Sequence, residues 1–178
     1  MIRTLSSRVV YETPWLRVRE DEIERVGEDG IPARGTYSVG EKEDFALVVP
    51  WDGERVTLVG QQRYPLGRFS WELPAGIVEG ASPEEAARTE LAEETGLSAG
   101  TLRQVGRLDS AVGMSSQGFH VWVATDLVAG EAAPEPEEVG MRTRAVTPAE
   151  LDAMIAGGEL TDADSIAGWT LARLAGLP

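Results

Sequence analysis

The chain has 178 residues, 42% of them hydrophobic and 26% charged, which suits one globular domain with a sizeable core. Thirty Asp and Glu against sixteen Lys and Arg give a formal charge of −14. That argues against nonspecific binding to nucleic acid or to an anionic membrane, and it means that an anionic substrate needs metal ions as intermediaries. With no Cys and a single His, His120, disulfides and thiolate metal sites are excluded, and neither a His-rich zinc site nor a Ser-His-Asp triad is expected.

The N-terminus, MIRTLSSRVV, has no signal-peptide core, and no apolar run approaches a membrane span, so cytoplasmic residence is the expectation. Residues 8–39 read as a small antiparallel unit. Arg8–Glu12 and Leu16–Val26 alternate, Thr13-Pro14 turns between them, and Glu28-Asp29-Gly30 is a hairpin signal before Ala33–Val39. Trp15, beside the first turn, reads as a core or interface anchor. Phe45–Val49 and Arg55–Val59 are apolar strands around Trp51-Asp52-Gly53-Glu54. After Gln61-Gln62-Arg63-Tyr64-Pro65-Leu66-Gly67-Arg68, a short strand ends at Leu73-Pro74. There the backbone is expected to turn sharply, with Gly76 and Gly80 in the turn and Gly76 able to take a positive φ. Arg63 reads on its own as one half of a surface ion pair. Glu72 reads either as reaching water beside that turn or as a strand residue facing solvent, with the balance toward solvent.

A helix then begins with complete start signals. Ser82 caps, Pro83 takes the first helical position, Glu85 closes an S-x-x-E capping box, and Gly96 ends the helix. Leu102–Leu108 and Phe119–Asp126 are further strands. The small and Gly residues of Ser110–Gly118 suggest a mobile loop over the site, and His120 reads as a half-buried strand residue. Val128–Gly140 reads as an acidic surface loop and Met141–Val146 as a final strand. Thr147-Pro148-Ala149-Glu150 is a second capping box, opening a helix that Gly157-Gly158 stops. A last amphipathic helix spans Asp164–Ala175, with Ile166, Trp169, Leu171 and Leu174 as its core face.

The conspicuous feature is the end of the first helix. Glu90, Glu93 and Glu94 stand at i, i+3 and i+4, so one face of the last turn carries three carboxylates and no Lys or Arg. Like charges at that spacing cost a helix about 0.2–0.5 kcal/mol each. Negative charge at a helix C-terminus costs about 0.3–1 kcal/mol more. Two readings fit: a solvated acidic face, or a site for a hard divalent cation such as Mg²⁺ or Mn²⁺.

Residues 76–97 resemble the Nudix box, G-x5-E-x7-R-E-U-x-E-E-x-G-U with U aliphatic. Glu90 to Leu97 match its tail without a fault. Its head is one residue short, so that Ala81 stands where the first Glu belongs and Thr89 where the Arg belongs, with Arg88 about 100° round the helix. The resemblance is to the ADP-ribose pyrophosphatase and nucleoside-diphosphate-sugar hydrolase branch. It implies an α/β Nudix sandwich, α/β/α with a mixed sheet and an N-terminal antiparallel sheet. Residues 1–178 would be one domain, with 1–40 the dimerisation element of a homodimer and 41–178 the catalytic core. It also implies Mg²⁺ (or Mn²⁺) as cofactor, with Glu90, Glu93, Glu94 and the Ala75 carbonyl as ligands and Glu93 or Glu94 as the nearest candidates for the base. Arg63 would bind substrate phosphate, Trp15 would stack on a base, and Gln117 would occupy the loop position where relatives place a catalytic Glu. The reaction implied is hydrolysis of a nucleoside diphosphate derivative, ADP-ribose or a sugar nucleotide, to a monophosphate and a phosphorylated product. The departures at Ala81, Thr89 and Gln117 leave room for an alternative, a nucleotide-sensing module of the same fold.

Overall fold

The computed structural model describes residues 1–28, 30–77, 80, 82–132 and 140–177. Asp29 of the expected hairpin turn, Ala81 of the box, and most of the acidic loop (133–139) lie outside the described residues. The chain divides into two compact units, Met1–Glu43 with Asp109–Gly118, and Asp44–Leu108 with Phe119–Pro178.

The first unit is built on an antiparallel meander of β1 (Ile2–Glu12), β2 (Arg17–Val26) and β3 (Pro32–Glu41). Its first strand starts at Ile2, earlier than the alternation at Arg8–Glu12 suggests. Residues 2–7 do not alternate cleanly, yet they pair with Asp21–Arg25, so the partner strand rather than the pattern extends the element. Bulges between Thr4 and Ser6 and between Val9 and Tyr11 absorb the irregularity. The segment 110–118 is bonded into this unit. Gly40 N–H donates to the Met114 carbonyl at 2.8 Å, Ser116 N–H donates to the Gly40 carbonyl, and the Tyr37 hydroxyl donates to the Gly113 carbonyl at 2.7 Å.

The second unit holds β4 (Phe45–Pro50), β5 (Val56–Arg63), β6 (Arg68–Glu72), β7 (Ala75–Ile77), α1 (Pro83–Thr95), β8 (Leu97–Asp109), β9 (Gly118–Ala129), β10 (Arg142–Val146), α2 (Pro148–Ala156) and α3 (Ala163–Leu174). A mixed sheet runs β7-β4-β9-β8, with β4 antiparallel to β7 and parallel to β9. Residues 46–50 of the strand Phe45–Pro50 are all buried, because both of its faces are covered. Ala46 and Val48 pack with Ala86, Ala87 and Leu91 of α1, while Leu47 and Val49 pack with Leu151 and Met154 of α2 and Trp169 and Ala172 of α3. Successive side chains of a strand point to opposite faces, so this partition puts α1 on one side of the sheet and α2 with α3 on the other. The remaining strands form an antiparallel sheet, β10-β5-β6.

Two expectations are corrected here. Residues 75–77 are not a turn but the edge strand β7, and Gly76 does not have a positive φ. In α3, Leu174 is 81% exposed rather than core. The face that packs is set by Gly168, whose missing side chain lets Leu47 approach: a Cβ there would stand 2.5 Å from Leu47 Cδ2. Trp169 and Ala172 follow Gly168 inward, and Leu174 is carried out to solvent.

Both predicted capping boxes form. The Glu85 carboxylate accepts the Ser82 N–H at 2.9 Å, and Glu150 accepts the Thr147 N–H at 2.8 Å. These backbone bonds first, and the cap hydroxyls second, hold both carboxyls below the ordinary glutamate value of 4.5. A carboxyl depressed in the folded state contributes stability that is present above its unfolded value and lost as pH falls through the folded one. The melting temperature is therefore expected to drop on acidification below about pH 4.5. A Glu85→Gln, Glu150→Gln double variant should show a shallower drop when the two proteins are melted side by side from pH 6 to pH 3.

Candidate active site at the end of the first helix

The site is assembled by the edge strand β7 and the last turn of α1, both in the second unit. In the antiparallel ladder with β4, Ala75 lies opposite Leu47, while the adjacent Pro74 carbonyl accepts from Val48 N–H at 2.9 Å. Ladder bonds of an antiparallel pair alternate, and the N–H and C=O of one residue point to the same edge. Ala75 is a residue turned outward: its N–H donates to Glu94 Oε2 at 3.0 Å. Its carbonyl shares that outer edge, beside the acidic turn of the helix.

Glu94 is only 4% exposed. Glu90 reaches the next residue of the strand, since a Cβ built on Gly76 would stand 2.0 Å from its Cδ and Oε1. The constraint on Gly76 thus comes from a carboxylate occupying its side-chain space and not from backbone conformation. Glu93 is half-buried on the same turn, and no basic residue lies in that turn. Gly96 ends the helix with φ 71°, as its left-handed cap.

A second group comes from β5 and β6. Arg63 Nε donates to both oxygens of Glu72 at 3.1 Å, and Nη2 donates to Oε2. Glu72 is 8% exposed, which corrects the expectation that it faces solvent. The bond to Glu72 raises the Arg63 guanidinium above its ordinary range, against the effect of burial, and the charges of Glu72, Glu94 and Asp162 add to the rise. Asp162 caps α3, whose Ser165 hydroxyl accepts the Leu73 N–H at 2.8 Å. The start of α3 is thereby fixed to the stretch between β6 and β7.

The donors fit a hard divalent cation. Two carboxylates on a rigid turn and an outward main-chain carbonyl are all oxygen ligands, and a buried Glu94 beside Glu90 is a charge arrangement that a cation relieves. Among the described residues, no three acidic or imidazole side chains converge closely enough to hold an ion by themselves.

A Nudix domain profile matches residues 42–167, spanning this strand and helix. The chain belongs to the Nudix family. A nucleoside diphosphate sugar hydrolase N-terminal domain profile matches residues 2–25, within the meander. Over 171 residues, 93% of this chain and 80% of the relative, it is 33% identical to an ADP-ribose pyrophosphatase of Mycobacterium tuberculosis. Over 94 residues, 52% of this chain and 51% of the relative, it is 35% identical to an ADP-ribose pyrophosphatase of Bacillus subtilis. The crystal structure of an ADP compounds hydrolase superposes with a TM-score of 0.82, covering 97% of this chain and 92% of that one, at 20% identity, a likeness of fold. The protein is thus a Nudix pyrophosphohydrolase resembling the ADP-ribose pyrophosphatases.

The Nudix helix departs from the family pattern in ways that the geometry clarifies. Thr89 is exposed. Arg88 does not replace the missing Arg, because its guanidinium pairs with Glu84 at 2.9 Å and donates to the Ala99 carbonyl at 3.0 Å. In the first unit, the Gln117 side-chain amide donates to the Glu43 carbonyl at 2.7 Å. Trp15 is 67% exposed there, so it is not a core anchor. His120 is half-buried in β9, its Nδ1 3.0 Å from Gln104 Nε2. Sequence alone leans to a solvent-facing Glu72 and draws nothing from Asp162, because the burial of Glu72 depends on a partner that only strand pairing brings within reach. The available signal was the tight Tyr64-Pro65-Leu66-Gly67 connection, which pairs β6 back on β5 and puts Glu72 on the same face as Arg63, within side-chain reach.

Proposed function

We propose that the chain hydrolyses the diphosphate linkage of a nucleoside diphosphate derivative, ADP-ribose or a sugar nucleotide, in a Mg²⁺-dependent reaction, with Mn²⁺ as a substitute. Water adds to one phosphorus, the bridging P–O bond breaks, and a nucleoside monophosphate and a phosphorylated remainder leave. The observation that carries this reading is the buried Glu94 carboxylate bonded to the outward edge of Ala75, with the Glu90 carboxylate lodged over Gly76.

Glu90, Glu94 and the Ala75 carbonyl would hold the metal, with Glu93 a further ligand or the base that takes the proton of the attacking water. Bound divalent ions screen the diphosphate charge, polarise phosphorus and lower the pKa of that water. Arg63 clamps a phosphate through a charge-assisted contact, which suits a reaction that depends mainly on positioning. Trp15, exposed, is available to stack on a base, and the active form is taken to be a cytoplasmic homodimer in which residues 1–40 pair the subunits.

The test is a panel of nucleoside diphosphate derivatives incubated with Mg²⁺ or Mn²⁺ and scored by the monophosphate released, together with melts in the same ions. At a Mg²⁺ concentration ten times its Kd, the folded state should gain about 1.4 kcal/mol. Stabilisation and nucleotide binding without turnover would favour the sensing module, which the Thr89 and Gln117 positions favour. No response to the ions in either assay would sink both readings.

A further inference from the structure

In the hairpin of β5 and β6, Glu72 is the backbone partner of Val59 and Arg63 that of Arg68. Val59, Gln61 and Arg63 share one face of β5, and Glu72 and Ser70 share the same face of β6. The Arg63 and Glu72 side chains therefore reach toward each other along the sheet, across the Gln61–Ser70 pair, to make their contact. Ser70 is 2% exposed and small, which leaves room for a guanidinium to lie over it.

An arginine has five N–H donors in a rigid plane. Glu72 engages the Nε side, through Nε and Nη2, and leaves the Nη1 side of the fork for a ligand. Arg63 also lies in the field of Glu94 and Asp162. The Arg63 side chain is 42% exposed and that of Glu72 is 11%, so the acid is the buried anchor and the base the part that reaches outward.

We infer that Glu72 is a positioning residue: it holds the Arg63 guanidinium by its Nε side, so that the Nη1 side of the fork is turned to the substrate's diphosphate. This rests on the reading of Arg63 as the phosphate clamp under the proposed function. Glu72 itself touches neither substrate nor metal.

The experiment is calorimetric binding of α,β-methylene-ADP, which hydrolysis does not consume, in Mg²⁺, to the wild-type chain and to Glu72→Gln, Arg63→Gln and the double variant. Melts with Mg²⁺ alone run alongside. Glu72→Gln is expected to weaken binding about tenfold, the scale on which losing an orienting partner acts. The double variant should bind no worse than Arg63→Gln, and the Mg²⁺-induced rise in melting temperature should persist in Glu72→Gln. If Glu72→Gln fails to fold, Glu72→Asp keeps the charge, withdraws the carboxylate by one methylene and should show the same tenfold loss. Wild-type affinity in a folded Glu72 variant, or losses that multiply in the double variant, would overturn the positioning role alone. Absence of binding to the wild-type chain would overturn the proposed function and this inference with it.

Discussion

Glu94→Gln is expected to lower turnover of a nucleoside diphosphate derivative by about 10²–10³-fold, the scale of losing one preorganised charge at a reacting centre. The change is nearly isosteric. Glutamine Oε1 can still accept the Ala75 N–H that Glu94 Oε2 accepts at 3.0 Å, so the link between helix and strand survives. What disappears is a buried negative charge at a position 4% exposed, and with it the strongest reason for a divalent cation to settle there. The Mg²⁺-induced shift in melting temperature should shrink in step with activity. Steady-state kinetics across a Mg²⁺ titration measure both. A Glu94→Gln protein with full turnover would remove the centre of the site as described.

Gly76→Ala separates function from stability. Its Cβ would stand 2.0 Å from Glu90 Cδ and Oε1 and 2.4 Å from Oε2, so one of them has to move. The atoms met are the far end of a flexible side chain, and Gly76 is in a strand without a positive φ, so the backbone need not strain. Replacing Gly by Ala inside a strand even recovers about 0.5–1 kcal/mol of conformational entropy. The expected result is a protein that melts at or slightly above the wild-type temperature, yet turns over about 10²-fold more slowly, as a displacement near 1 Å at a reacting centre does. Wild-type kcat in Gly76→Ala would show that the Glu90 position does not matter to the chemistry.

These two substitutions mark the boundary of what the chain's letters disclose. The capped helix was legible because its signals are local: Ser82, Pro83 and Glu85 act within one turn, and Gly96 takes its left-handed conformation wherever the helix is placed. The acidic face was legible for the same reason, since i, i+3 and i+4 spacing fixes a shared side. Gly76 was misread as a turn residue because its constraint comes from Glu90, on another element. Glu72 was misread because burial of an acid depends on the Arg63 that a hairpin brings to it.

By itself the sequence determined the elements with local start and stop chemistry, the acidic turn, and through its box the family to which the chain belongs. Tertiary structure decided which carboxylate is buried, which main-chain edge faces the helix, and which arginine an acid holds. Those are properties of pairs of residues on different elements, set by strand register and helix packing, and no spacing along one strand or helix encodes them.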